Sequence, residues 1–338
     1  MPGIAGLRRT QIGIMAAFGG TTDVATTYWR GMGMIDDTLE VTFPDENIGI
    51  LGDVNRSYIG KKGGELPLEG DATFEQLPYI FQSGIKTVSP STDASSAEIW
   101  TWAMQNATTD PISSSDLSYI VAEAGDNQQA EIFRSGFVRE FSLTGAAGEA
   151  LQVTATVQGR EVELTTFTAG LSVPSVESIL FSKGKLYIDP SSDTPGTTQK
   201  SQTFLDMSLD VTTGWSAIET ADGRLDFSGV KMIGQESSLD ITFEHDGSSV
   251  AEKAAYRAQN ERVIRLEFEG SALSTTDAGA TYDVKTLIID LYGKWENFEP
   301  IGESDGNDVV SGTFHVGYST VAAKKAEFII ANELATLP

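Results

Sequence analysis

FVREFSLTGAAGEALQVTATVQG, from Phe137 to Gly159, reads as a β-hairpin and decides the fold. Phe137, Phe141 and Leu143 lead into the turn Ala146-Ala147-Gly148, and Leu151, Val153, Ala155 and Val157 lead back out. Gln152, Thr154, Thr156 and Gln158 alternate with that second set, the period of a strand with one buried face. A looser copy closes the chain: LIIDLYGKWENFEPIG from Leu287, a Gly/Asp-rich turn from Glu303 to Asp308, then VVSGTFHVGYS from Val309. Lys294, Trp295 and Pro300 interrupt this second hairpin. A hairpin closing each half predicts one unit used twice, in domains 1–170 and 171–338.

Bulk properties agree with two cores. A chain of 338 residues exceeds what one ordinary core needs, and 40% hydrophobic residues with 16 Phe and 5 Trp can fill two. The absence of cysteine removes disulfides and thiolate metal sites. No apolar run reaches the roughly 18 residues of a membrane-spanning helix. The start, MPGIAGLRRTQIGIMAAFGG, places two arginines before a short apolar run, but Gln11, Gly13 and the lack of an A-x-A-like site argue against a secretory signal. A net charge of −25 makes nucleic-acid binding through phosphate contacts unfavourable.

The halves match block by block. A short strand and Gly turn, Arg8 to Gly20, answers to Ile179 to Gly196. The alternating strand Thr38 to Phe43 (TLEVTF) answers to Met207 to Thr212 (MSLDVT). Long polar excursions follow, residues 44–66 and 213–237, of a kind that is uncommon in compact domains unless functional. Returning strands start at Leu66 and Leu239, and helices are predicted over 71–83 and 248–262. Asp71 and Ser248 or Ser249 are the predicted N-caps, with Glu252 completing a capping box, and Pro78 shortening or kinking the first helix. An extra stretch lies between Ser89 and Tyr119, and the linker lies between Leu171 and Gln202. Each unit is therefore mainly β, a sandwich or barrel with one flanking helix.

Reactive motifs are sparse. His245 and His315 sit in strand patterns without a second histidine at ligand spacing. Gly31-Met32-Gly33 and Gly63-Gly64, next to Lys61-Lys62, lack the strand-to-helix context of a phosphate loop. Asp305-Gly306-Asn307-Asp308 and Asp222-Gly223 lack the spacing of a calcium loop and read as solvated turns. Trp100 and Trp102 share one strand face, where packing is a better reading than a sugar platform. What stands out is alternation itself. It sets Glu40, Asp210, Asp240, Glu267 and Glu269 on the polar faces of strands whose other faces are apolar.

WTWAMQNATTDP from Trp100, SYIVAEAGDN from Ser118, and SGFVREFSLTGAAGEALQVTATVQGRE from Ser135 resemble the tail tube (major tail) proteins of long-tailed bacteriophages. Ala25 to Asp36 (ATTYWRGMGMID) resembles their N-terminal segment. The resemblance covers the first half well and the second by internal analogy. It implies a structural virion protein, not an enzyme; no residue pattern in the sequence calls for a cofactor or a metal. One sheet of each domain would join neighbouring sheets in a closed inner barrel. Three duplicated chains would give a pseudo-sixfold ring, and stacked rings a tube through which DNA passes unbound. Implied partners are further copies of the chain and the tape measure, baseplate and tail terminator proteins, in a virion made in the host cytoplasm, with no membrane. The five acids named above then become lumen candidates. Asp45, Glu46, Asp53, Arg56, Lys61, Lys62, Asp222 and Arg224, on the excursions, become candidates for contact with the adjacent ring, together with the N-terminal arm and the tail from Leu334. Two other classes account for some of the same features. One is an extracellular or surface β-sandwich binding module. The other is a glycosidase with paired carboxylates, for which no motif singles out a pair.

Overall fold

The computed structural model describes residues 3–49, 52, 55–104, 113–275, 278–304 and 306–338. The protein is mainly β, with large antiparallel sheets and two α-helices among the described residues. The main elements are β1 (Arg9–Ile14), β2 (Gly64–Asp71), α1 (Leu77–Gly84), β3 (Glu98–Met104), β4 (Ile120–Gly125), β5 (Ala130–Ala146) and β6 (Gln152–Gly159). They continue with β7 (Gly184–Pro190), β8 (Phe204–Thr212), β9 (Glu236–Glu244), α2 (Gly247–Ala258), β10 (Arg262–Ala272), β11 (Val284–Phe298), β12 (Asn307–Val316) and β13 (Ala326–Asn332). The expected linker is shorter than Leu171 to Gln202, because β7 lies inside that span.

Two long strands, β5 and β11, each serve two sheets. The first part of β5 pairs with β4 and with Glu163–Thr165, and β4 pairs with β1. Its second part pairs with β6, which pairs with β2. The second half repeats these relations. The first part of β11 pairs with β10 and β13, and β10 pairs with β7. Its second part pairs with β12, which pairs with β9. Each long strand also shifts register at the matching place, between Val138 and Glu140 and between Trp295 and Asn297. A bulge bends a strand, which lets one chain segment pass from one sheet to the other.

A third set of pairs joins the halves. β5 pairs with β8 over Glu140–Ala146 and Asp206–Thr212, and β8 pairs with β9. One sheet therefore runs Asp36–Asp37, β2, β6, β5, β8, β9, β12, β11. No pair among the described residues closes it, so Asp36–Asp37 and β11 are its edges. The halves also exchange an element. β3, from the extra stretch of the first half, pairs with β13 of the second. Trp100 and Trp102 on β3 are buried and stacked, ring centroids 5.8 Å apart, so both belong to the core.

Alternation explains the core. Leu66, Leu68, Val153, Val157, Phe141, Leu143, Leu209, Leu239, Ile241 and Phe314 all point from the joined sheet into one hydrophobic cluster, which spans both halves. Both helices lie against it and begin differently from expectation. Asp71 ends β2 and is bound by Gln152 and Ser178, while Ala72 stays paired with Leu151 and Ile179. The chain thus enters α1 only at Leu77, and Pro78 sits in the first turn, where its missing N–H costs nothing. For α2 the cap is Asp246, whose carboxylate accepts from the Ser248 and Ser249 N–H groups at 2.7 and 2.9 Å. Ser249 completes the box, and Glu252 instead binds Arg262 and the Trp295 indole, each at 3.1 Å. The helix stops at Ala258 because Gln259 turns left-handed, at φ 54°.

Candidate functional site

The joined sheet has one face in the core, and the other is polar across its whole width. Outward residues are Glu65, Pro67, Glu69 and Asp71 on β2, and Gln152, Thr154, Thr156 and Gln158 on β6. They continue with Glu140, Ser142 and Thr144 on β5, Asp206, Ser208, Asp210 and Thr212 on β8, and Ser238, Asp240 and Thr242 on β9. Ser311, Thr313 and His315 of β12 complete the row. Short side chains bond across strands: Ser142 with Thr154 at 2.7 Å, Thr242 with Ser311 at 3.0 Å, and the Thr313 hydroxyl to Asp240. The result is a lattice made mostly of hydroxyls, amides and carboxylates. Its cations are few: Arg139, which reaches Glu65, and Lys294 beside His315.

Of the lumen candidates, the structure brings Asp210 and Asp240 together here. Asp210 stands between Ser142 and Ser238, and Asp240 between Ser208 and Thr313. Glu267 and Glu269 lie on β10, which pairs with β7 and the first part of β11 outside the joined sheet, and Lys185 of β7 binds both at 3.1 and 2.5 Å. Glu40 lies outside these sheets, on a separate ribbon in which Glu40–Thr42 pairs with Tyr58–Lys61. The match of Thr38 to Phe43 with Met207 to Thr212 is therefore out of register. Asp36 opposite Glu65 and Asp210 opposite Ser238 are the equivalent pairs, because Leu66 and Leu239 face Val157 and Phe314. Met32 bonds Glu69 in both directions, so the edge runs from Met32 to Thr38. Gly31 sits where a Cβ would fall 1.9 Å from the Glu69 carbonyl oxygen, so this segment is a close backbone approach and not a phosphate loop.

The second excursion forms a ribbon of its own, Trp215–Ile218 with Gly229–Met232, and it lies down on the first half. Trp215, Phe227 and Val230 pack with Met15, Leu117, Tyr119, Val121, Ile132 and Phe137. Asp226, buried, carries the attachment. Arg160 approaches it to 2.8 Å, and Arg224 grips it with two bonds of 2.8 and 3.1 Å. Lys61 pairs with Glu219, Lys62 pairs with Glu161, and the Lys62 N–H donates to the Leu225 carbonyl at 2.8 Å. Lys61, Lys62 and Arg224 thus bind within the chain. Arg56 pairs with Glu46, Asp45 and Asp222 are exposed, and Asp53 lies outside the described residues. Of the Asp305–Asp308 turn, Asp305 also lies outside them, and no group of three or more candidate metal ligands gathers among the described residues.

Burial alone would raise the Asp226 carboxyl, but the hydrogen bonds and charges of Arg224 and Arg160 outweigh it and hold it below the ordinary value. A depressed carboxyl stabilises the fold fully above its unfolded pKa, about 3.9, and the benefit is lost as pH falls through the folded value. Acidification below about pH 4 should therefore free the second ribbon, read as loss of the Trp215 fluorescence signal against a Trp215→Phe control. Asp226→Asn should remove that acid transition. A Trp215 signal constant to pH 2 in the unsubstituted protein would contradict the clamp.

Sequence reasoning missed Asp36, Glu65, Glu69, Glu140 and Asp206, which the polar face gathers around Asp210 and Asp240. For Glu65, Glu69, Glu140 and Asp206 the signal was present, since each continues the polar phase of an alternating strand, but only the sheet order shows that these strands share a face; Asp36 lies on the opening strand, which carries no such pattern. No protein-family model matches the chain, and no curated protein matches it by sequence.

Proposed function

We propose that the chain is a self-assembling structural protein whose joined sheet continues from copy to copy into a closed ring. The carrying observation is the seam between β5 and β8. There the hairpin strand of the first half pairs with the opening strand of the second. By the repeated pairing, the hairpin strand of the second half, β11, is left as one edge, and the opening strand of the first, Met32–Thr38, as the other. Each edge is the kind of strand that its opposite number already pairs with inside the chain. An open edge is an aggregation hazard unless it is used, and a head-to-tail contact that closes removes it.

In this reading the halves are tandem domains, three chains give a pseudo-sixfold ring, and the polar face lines the channel. Stacked rings make the tail tube of a long-tailed bacteriophage, with DNA passing through and with tape measure, baseplate and terminator proteins at its ends. A duplex carries one negative charge per roughly 1.7 Å of axis, so cationic walls would gain counterion-release free energy at each phosphate. A wall of carboxylates and hydroxyls gains none, and screened repulsion within about 10 Å keeps the duplex off it. Asp210→Lys with Asp240→Lys should leave assembly intact but slow DNA transit, most at low salt. Transit at the unsubstituted rate and salt dependence would reduce the face to a solvated surface. Solution mass with negative-stain imaging tests the assembly itself: rings or tubes support it, and monodisperse monomers favour a binding module.

A further inference from the structure

The two excursion ribbons occupy equivalent places but unequal surroundings. Counting from the equivalent residues Asp36 and Asp210, Val41 stands where Trp215 stands. Trp215 is 3% exposed against the first half, whereas Val41 is 44%, Phe43 68% and Tyr58 54% exposed. One ribbon has found its seat and the other has not.

We propose that the first ribbon, Glu40–Thr42 with Tyr58–Lys61, docks on the second half of another copy of this chain, as the second ribbon docks on the first half of its own. The inference rests on the ring reading above and adds a lateral contact to it. The seat of the second ribbon lies at the bend of β5, beside Phe137 and next to Arg160 where β6 ends. Matching the two bulges puts the equivalent bend of β11 at Gly293–Lys294 and the equivalent strand end at Gly317. There the Gly317 N–H donates to the Tyr292 carbonyl at 2.8 Å, and Tyr318 and Val321 stand exposed. Exposed Val41, Phe43 and Tyr58 offer apolar surface to these two side chains, and Lys294 offers a cation to the exposed carboxylates of Glu40 and, beyond the ribbon, Asp45.

The occupant must be a second copy. The first ribbon leaves the Asp36–Asp37 edge, and the seat adjoins the β11 edge. Seven strand spacings of about 4.8 Å, roughly 34 Å, separate those edges within one chain. Head-to-tail closure brings them together between chains.

The chain contains no cysteine, so introduced ones report alone. Chains carrying Phe43→Cys are mixed with chains carrying Tyr318→Cys under assembly conditions and oxidised. The expected product is a disulfide-linked pair of chains formed from the mixture and largely absent from either variant alone. In parallel, Phe43→Ser with Tyr58→Ser should keep the monomer's circular dichroism and weaken association at least about 100-fold. Rings of normal mass from the doubly substituted chain, with no cross-link from the mixture, would overturn the docking and leave the ring reading standing. An unsubstituted chain that stays monomeric at every concentration would overturn both.

Discussion

Replacing Phe81 by alanine is expected to destabilise the entire chain by about 3–5 kcal/mol, in one unfolding transition. Phe81 is fully buried on α1, and three other rings surround it: Trp102 at 5.3 Å, Phe141 at 5.4 Å and Phe328 at 4.9 Å between centroids. Phe141 belongs to the first half and Phe328 to the second, and Trp102 lies on the strand that crosses between them. The truncation removes buried surface and leaves a cavity where both halves meet, so neither can hold its part of the core alone. Calorimetry of the pair gives the answer. Two transitions, only one of them shifted by the substitution, would mean two independent cores.

Much of this was legible in the sequence. Strict alternation located the hairpin β5–β6, β8 and β9, and their polar phases, because one buried face imposes a period of two. The block-by-block match found the excursions and both helices. Less legible was the opening strand. Gly31-Met32-Gly33-Met34 has two glycines and no β-branched residue, so it carries no strand signal, yet it lies against β2 because glycine permits the approach. Thr38 to Phe43 alternates better and mimics it. That alternation belongs to a ribbon whose apolar side faces solvent in the single chain. Glu267 and Glu269 do not share the face of Asp210 for a related reason. Alternation gives the phase of a strand but not the sheet that it joins. Nor does local pattern show a strand exchanged between halves, since β3 pairs with a partner from the far end of the chain.

If the chain closes into the proposed ring, Asp37→Pro is expected to abolish ring formation without unfolding the subunit. Met32 and Thr38 turn their N–H groups toward β2 or the residue before it, bonding Glu69 at 2.7 Å and Gly63 at 2.9 Å. Backbone direction alternates along a strand, so the Asp37 N–H points to the open edge and serves no bond of the internal ladder. Proline there removes one donor from each seam and leaves a carbonyl of the next chain unpaired, about 1–3 kcal/mol. Over the three seams of a ring that amounts to roughly a hundredfold to a millionfold in the formation constant. Light scattering should give monomers at concentrations where the unsubstituted chain is proposed to form rings, with an unchanged far-ultraviolet spectrum. Rings of normal mass would show that this edge is not the joint.

A cryo-electron-microscopy reconstruction of the assembled particle tests the central claim most directly. The expected result is a ring of three 36.2 kDa chains in which Met32–Thr38 of each pairs antiparallel with β11 of the next, with Asp210 and Asp240 facing the channel. A ring joined through other strands, or one whose polar face lies outside, would contradict it.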